Sequence, residues 1–318
     1  MAVFNDIRDE KNIYPQGDHL VRAAAFDSKV RAMAIDLTEA VKMQQEALGL
    51  NLLTASLVAE TMMGAAFLGA DLKNDDARLS VTIMGDSAGK RISAFCDAKL
   101  RLKATLDDKK FMSDLLGDSL DEKQRQELEN ILSDGSADLA KIIGKGRIQV
   151  IKNLKDGKPY TGLVDTLNGD VAQSFVYYLA LSEQRHGVMM FGLNYKQGKI
   201  SKVTGLFAEL LPFAEESVIA KLEARVASFP KLSDLSADFM PAQIIDLLMG
   251  DPEIKYLSVD VPKFYCNCSK DYFAEKLMTL GRADLEHLAE DPKGIEIRCD
   301  YCGSKYKYSN EEVLGLIK

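Results

Sequence analysis

The chain has 318 residues, 47% of them apolar, and a formal net charge of −8. That length predicts two or three domains with ample material for packed cores, and the acidic balance argues against a nucleic-acid binder held by phosphate contacts. The opening run M-A-V-F-N-D-I-R-D-E carries charges where a secretory signal needs apolar residues, so a cytoplasmic protein is expected.

Residues 1–17 read as an irregular leader. Asp18 to Arg31 alternates well enough for two strands around a turn at Asp27–Ser28. Leu37 to Ala47 has helical spacing. The next run, Leu52 to Ala70, is nineteen residues with a single charge, Glu60, long enough to approach a membrane span. Thr54, Ser56, Thr61, Gly64 and Gly69 interrupt it, and aromatic or cationic flanks are missing, so a buried helix is the better reading and no membrane is expected. Leu79–Met84, Arg91–Asp97 and Leu100–Leu106 read as strands, with Cys96 packing inside the second.

Asp107 to Lys145 changes character. Its apolar positions (Leu115, Leu116, Leu120, Leu128, Ile131, Leu132) recur at helical intervals among many charges, as in two short surface helices of an insertion. A hairpin follows, with Asp156–Gly157 as its turn. Gly144–Lys145–Gly146 lacks the spacing of a phosphate loop and precedes a strand, so that reading is rejected. Val171–Gln184 reads as a helix, Val188–Tyr195 and Lys202–Leu211 as strands, and Glu215–Ala227 and Pro241–Met249 as helices. These last helices are polar enough to be only marginally stable alone.

The C-terminal stretch concentrates chemistry. Four of the five cysteines fall in 37 residues: Cys266 and Cys268 as C-x-C, then Cys299 and Cys302 as C-x-x-C, with thirty residues between the pairs. Such clustering argues against mere burial. The absence of a signal segment argues against permanent disulfides, and the spacing argues against an iron–sulfur cluster. Two close pairs across a loop suit one Zn²⁺ in a four-thiolate cage. The C-x-C half needs a bent backbone for both sulfurs to reach one ion. Lys263, Lys270, Arg298 and Lys305 lie near the ligands, either balancing the cage's negative charge or serving as ordinary surface cations. Helices at Ser269–Leu280 and Arg282–Glu290, strands into Cys299 and at Lys305–Tyr308, and a last helix from Asn310 complete the module. Zinc would supply most of its folding free energy, and the thiolates are nucleophiles towards oxidants, so the site is a candidate switch.

No catalytic constellation is legible, and the protein is not expected to be an enzyme. His19, His186 and His287 fall in three different regions, and His287 is superfluous as a ligand beside four thiolates. From Val261 to Lys318 there are nine Lys/Arg and ten Asp/Glu, so the module has no basic excess for nucleic acid. Methionines 62, 63, 189, 190, 240 and 249 read as core residues, with an adaptable binding surface as the alternative.

Taken together, the chain resembles the redox-regulated holdase chaperones of the heat-shock-protein-33 family. The resemblance rests on C-x-C and C-x-x-C with S-K-D-Y-F-A-E-K-L-M-T-L-G-R-A-D-L-E between them. It also rests on D-H-L-V-R-A, L-G-A-D-L-K, G-K-G-R-I-Q-V, P-Y-T-G-L-V and Y-Y-L-A-L-S-E-Q in order through the body. The long acidic segment at Asp107–Ala140 and the run G-D-S-A-G-K depart from it.

The resemblance implies an α+β chain in three parts: a chaperone body over 1–211 with the insertion at 107–145, a metastable helical linker over 212–260, and a zinc-binding redox-switch domain over 261–318. It implies zinc on Cys266, Cys268, Cys299 and Cys302 and inactivity while reduced. Oxidation would form disulfides Cys266–Cys268 and Cys299–Cys302, release zinc, and unfold the module and linker. The exposed surface would then bind unfolded client proteins without ATP, as a homodimer. A C-x-C disulfide closes a small strained ring and is expected to be relatively oxidising, as suits a sensor. The rival readings are a zinc-ribbon nucleic-acid-binding protein and a thiol–disulfide oxidoreductase; for the latter, the C-x-x-C lacks a thioredoxin-like setting.

Overall fold

A hairpin of alternating apolar residues opens the first sheet. Strands β1 (His19–Ala25) and β2 (Val30–Asp36) pair antiparallel, Leu20 opposite Ile35 and Ala25 opposite Val30. Their turn falls at the expected place, and the second strand runs on past Arg31 to Asp36. Helix α1 (Thr38–Leu48) follows and stops at Gly49, whose φ of 64° takes it out of the helix. Asp18, from outside the helix, caps its start by accepting the Glu39 and Ala40 amides at 2.8 and 2.7 Å. In this computed structural model residues 13–86, 91–107, 122–123, 143–154 and 159–317 are described. The expected insertion helices lie almost wholly outside the described residues, as do the Asp156–Gly157 turn and the end of the G-D-S-A-G-K run.

The long apolar run is α2 (Leu52–Gly69), capped by Asn51, whose side chain accepts the Thr54 amide. It is long and apolar enough to cross a membrane, yet 94% of it is buried inside the protein, and Glu60 is its one residue not fully buried. The reason is its position. One side packs on β3 (Arg78–Gly85), β4 (Arg91–Asp97) and β5 (Arg101–Leu106); another packs on β9 (Lys199–Leu210). A helix enclosed by two sheets must be apolar all round. Gly64 lets it approach α3 (Val171–Glu183), since a Cβ there would collide with the Phe175 ring, and Gly69 does the same against Cys96.

The first sheet has the order β10-β1-β2-β9-β8, where β8 is Gly187–Lys196 and β10 is Lys255–Asp260. The second has the order β11-β5-β4-β3-β6-β7, where β6 is Gly146–Asn153, β7 is Tyr160–Asp165 and β11 is Lys263–Phe264. Among the described residues of these two sheets, β11 runs parallel to its neighbour, β5, and the other pairs are antiparallel. The architecture is the α+β arrangement expected. The main core fills the space around α2, from Leu20, Met33 and Ile35 to Val81, Ala94, Val150 and Phe175.

The other face of the first sheet carries small residues: Ala23, Ala25, Ala32, Ala34 and Ala208. This shallow surface receives α6 (Pro241–Met249) through Ile244, Ile245, Leu248 and Met249, all buried. The preceding helix, α4 (Glu216–Ala227), buries only Leu222, and the short α5 (Leu232–Leu235) buries only Leu232. The 212–260 segment is thus helical up to α6 and then supplies β10 as an edge strand.

Residues divide into two units, Met1–Phe264 and Tyr265–Lys318. The second contains α7 (Lys270–Leu277), α8 (Arg282–Leu288), the hairpin β12 (Ile295–Arg298) and β13 (Lys305–Tyr308), and α9 (Asn310–Leu314). Its buried core is small: Leu277, Leu285, Ala289, Tyr308 and Val313.

Candidate metal centre

Local structure brings the cysteines together from two sides. Cys266 and Cys268 lie in a stretch without regular structure that ends at Ser269, which caps α7 by accepting the Tyr272 amide at 3.0 Å. Cys299 and Cys302 occupy the knuckle between β12 and β13. There Gly303, at φ 71°, donates its amide to the Cys299 carbonyl at 2.8 Å, and Cys299 donates to the Ser304 carbonyl at 2.8 Å. A positive φ at this position is cheap for glycine, and it aims both thiols inward.

Tyr306 ties the two halves. Alternation along K-Y-K-Y places Tyr306 and Tyr308 on one face of β13. The Tyr306 hydroxyl donates to the Cys268 carbonyl at 3.0 Å and lies 3.2 Å from Cys268 Sγ. The Tyr308 hydroxyl donates to the Lys270 carbonyl at 2.5 Å. Phe273 of α7 packs on the Tyr306 ring, centroids 5.3 Å apart.

The four sulfurs lie within 4.8 Å of one another, with Cys266–Cys299 at 3.7 Å and Cys268–Cys302 at 3.2 Å. Zinc–sulfur bonds of about 2.3 Å would set tetrahedral sulfurs about 3.8 Å apart, so the donor set fits a four-thiolate metal site. Electrostatics point the same way at one ligand. Burial works against the Cys302 thiolate, but its contacts with Ser304 and the neighbouring sulfurs bring the thiol down to about 7. Burial, with Cys302 and Cys299, raises Cys268 against the lowering effect of its hydrogen bonds with Tyr306 and Cys266. Tyr306 is pushed up to about 12, first by its hydrogen bond with Cys268.

All four sequence-predicted cysteines converge, and the other candidates stand elsewhere. His287 faces Glu290, Nδ1 to Oε2 at 3.2 Å, on an exposed surface. Lys270 pairs with Glu312 at 2.6 Å and Lys305 with Glu296 at 2.9 Å. Cys96 is buried in the body and its thiol is raised well above the usual range by burial. Met62, Met63, Met189 and Met249 are core residues. Sequence reasoning passed over Tyr306 and Ser304, although the period-2 pattern of β13 and the short C-G-S step would have placed both beside sulfur.

The chain thus joins a mixed α+β body to a small unit in which four converging thiols are positioned to bind a metal ion. The family model described as Hsp33 protein matches residues 18–309, and the chain belongs to that family. It is 28% identical to the 33 kDa chaperonin of Ruminiclostridium cellulolyticum, covering 95% of this chain and 98% of that one. It is 30% identical to the 33 kDa chaperonin of Streptococcus pyogenes serotype M3, covering 94% and 98%. The fold matches the crystal structure of the 33 kDa chaperonin from Thermotoga maritima, with a TM-score of 0.80, 21% identity, and coverage of 94% and 97%.

Proposed function

We propose that this protein is a redox-regulated, ATP-independent holdase chaperone of the cytoplasm, with no enzymatic activity. The observation that carries this reading is the convergence of Cys266, Cys268, Cys299 and Cys302 in a unit whose own core is five buried residues. When bound there, Zn²⁺ would supply folding free energy of the order of 10–16 kcal/mol, far more than so small a core offers. In the reduced state the four thiolates hold the unit folded and the protein inactive.

Oxidation by a peroxide removes the ligands pairwise. One thiolate attacks the O–O bond and becomes a sulfenic acid as hydroxide leaves; its neighbour displaces a second hydroxide to form the disulfide. Two electrons pass from two sulfurs to one peroxide, and two protons from solvent complete two waters. Disulfides Cys266–Cys268 and Cys299–Cys302 leave no thiolate for the metal, and the module over 261–318 unfolds.

The linker over 212–260 loosens with it. The thin hold of its first part supports this: α4 buries one residue, and Phe213, near the start of the linker, is 90% exposed. Opening of α6 would uncover Val21, Ala23, Ala32, Leu206 and Ala208 of the first sheet, an apolar face suited to unfolded client proteins. The active form is a homodimer, and neither nucleic acid nor membrane is a partner.

The test is suppression of aggregation of a heat-unfolded client before and after peroxide treatment at raised temperature, with zinc measured in parallel. Protection that appears only after oxidation and zinc loss is expected. Equal protection by the reduced, zinc-loaded protein would reject the switch.

A further inference from the structure

We propose that Tyr306 is a positioning residue that shields Cys268 from oxidants by hydrogen-bonding its sulfur, and so sets how readily the centre fires. This rests on the reading of the four cysteines as a zinc-thiolate redox site. The observation is a hydroxyl 3.2 Å from Cys268 Sγ and 3.0 Å from the carbonyl of the same residue.

The two distances give this hydroxyl different duties in different states. When Cys268 is a thiol, its S–H donates to Tyr306 Oη, and the Tyr306 O–H donates to the carbonyl. When Cys268 is a thiolate, it has no proton to give, and Tyr306 becomes the donor to sulfur. A hydrogen bond to a charged sulfur withdraws electron density from the lone pair that would attack an electrophile, as hydrogen bonds to ligand sulfurs do generally.

The fold holds the hydroxyl in place. β13 is paired along its length with β12, Ile297 opposite Tyr306, and the Tyr306 ring is braced by Phe273. Tyr308, two residues on and on the same face, spends its hydroxyl on the Lys270 carbonyl instead. The two tyrosines therefore make a matched pair: each ties β13 to the segment at 268–270, but only one is seen to reach sulfur.

The step affected is attack of the Cys268 thiolate on the O–O bond of a peroxide, followed by displacement of hydroxide by Cys266, with the balance given above. Removing the Tyr306 hydroxyl leaves the ring, the strand and the ligand set intact and exposes a more nucleophilic sulfur.

The experiment uses the full zinc-loaded chain as wild type, Tyr306→Phe and Tyr308→Phe. Each is checked for one equivalent of zinc and unchanged helicity. Hydrogen peroxide and iodoacetamide are then applied separately, and zinc release and residue-resolved modification of Cys268 are followed by a chelating dye and mass spectrometry. Tyr306→Phe should speed both about threefold to tenfold, while Tyr308→Phe should stay within about twofold of wild type. Equal rates in Tyr306→Phe and wild type, or equal acceleration by Tyr308→Phe, would overturn the proposal. A wild-type protein that binds no zinc, or keeps it through oxidation, would instead overturn the reading of the site beneath it.

Discussion

The Asp251 carboxylate accepts the backbone N–H of Phe26 at 2.5 Å, joining the loop after α6 to the β1–β2 turn. That turn needs support. Phe26, Asp27 and Ser28 take φ values of 52°, 51° and 60° in succession, a left-handed run costing roughly 1–2 kcal/mol per non-glycine residue. The 212–260 segment is therefore fastened to the body at a strained point as well as through the buried face of α6.

Asp251→Ala should loosen this fastening in the reduced protein. Loss of a charge-assisted bond predicts a destabilisation of about 1–3 kcal/mol. Hydrogen exchange should rise in α6 and β10 ahead of the rest of the body, and oxidation should then activate the protein at lower temperature. Protection in α6 equal to wild type would show that the turn bears no weight in holding the segment.

A second fastening joins the two sheets. Glu209 of β9, 3% exposed, accepts from Arg31 at 2.5 Å and Arg185 at 2.7 Å, and Arg185 reaches Asp71 at 2.9 Å and Glu183 at 3.2 Å. Lys152 of β6 closes the chain on Glu183 at 2.5 Å. Glu209→Ala removes the most buried member and leaves two guanidiniums short of a partner. A loss of about 3 kcal/mol in urea unfolding is expected, with both sheets affected together. A loss below about 1 kcal/mol would mean that the arginines find equivalent partners elsewhere.

Much of this was legible in the sequence because the signals were local. The alternation from Asp18, the apolar run from Leu52 and the cysteine spacings each declared an element or ligand within a few residues. What stayed hidden depended on distant partners. K-Y-L-S-V-D becomes β10 because β1 offers it an edge, Leu20 opposite Asp260. Lys263 and Phe264 become β11 because β5 lies beside them. Asp18 caps a helix that starts twenty residues later. Tyr306 gains its role only when the knuckle folds Cys268 against β13.

Glu60 gives the body a pH dependence of unusual sign. Burial, with a smaller push from Asp170, raises its carboxyl to about 8. A folded value above the unfolded one, near 4.5, means the protonated form is favoured by folding. Its contribution is full below about pH 4.5 and is lost as pH rises through about 8. Unfolding midpoints should therefore fall between pH 5 and pH 9 more steeply in wild type than in Glu60→Gln, which keeps the shape and cannot ionise. Parallel profiles for the two proteins would contradict the assignment. Asp18, raised to about 6 chiefly by burial, acts in the same direction over a lower range and is common to both.

The contact between α2 and α3 decides between two effects of opposite sign. By helix propensity alone, Gly64→Ala inside α2 should stabilise the protein by about 1 kcal/mol. The added methyl, however, would collide with the ring of Phe175, itself fully buried, and overpacking of this kind costs about 1–3 kcal/mol. A net loss is expected because α2 is enclosed by both sheets and cannot shift away. Phe175→Leu alone should leave a cavity and destabilise, but in the Gly64→Ala background it should cost less, since the methyl then occupies part of the space. A double-mutant cycle by chemical denaturation should give a coupling of about 1 kcal/mol or more. Additive losses, or a stabilising Gly64→Ala, would show that the helix yields at this contact instead of being pinned.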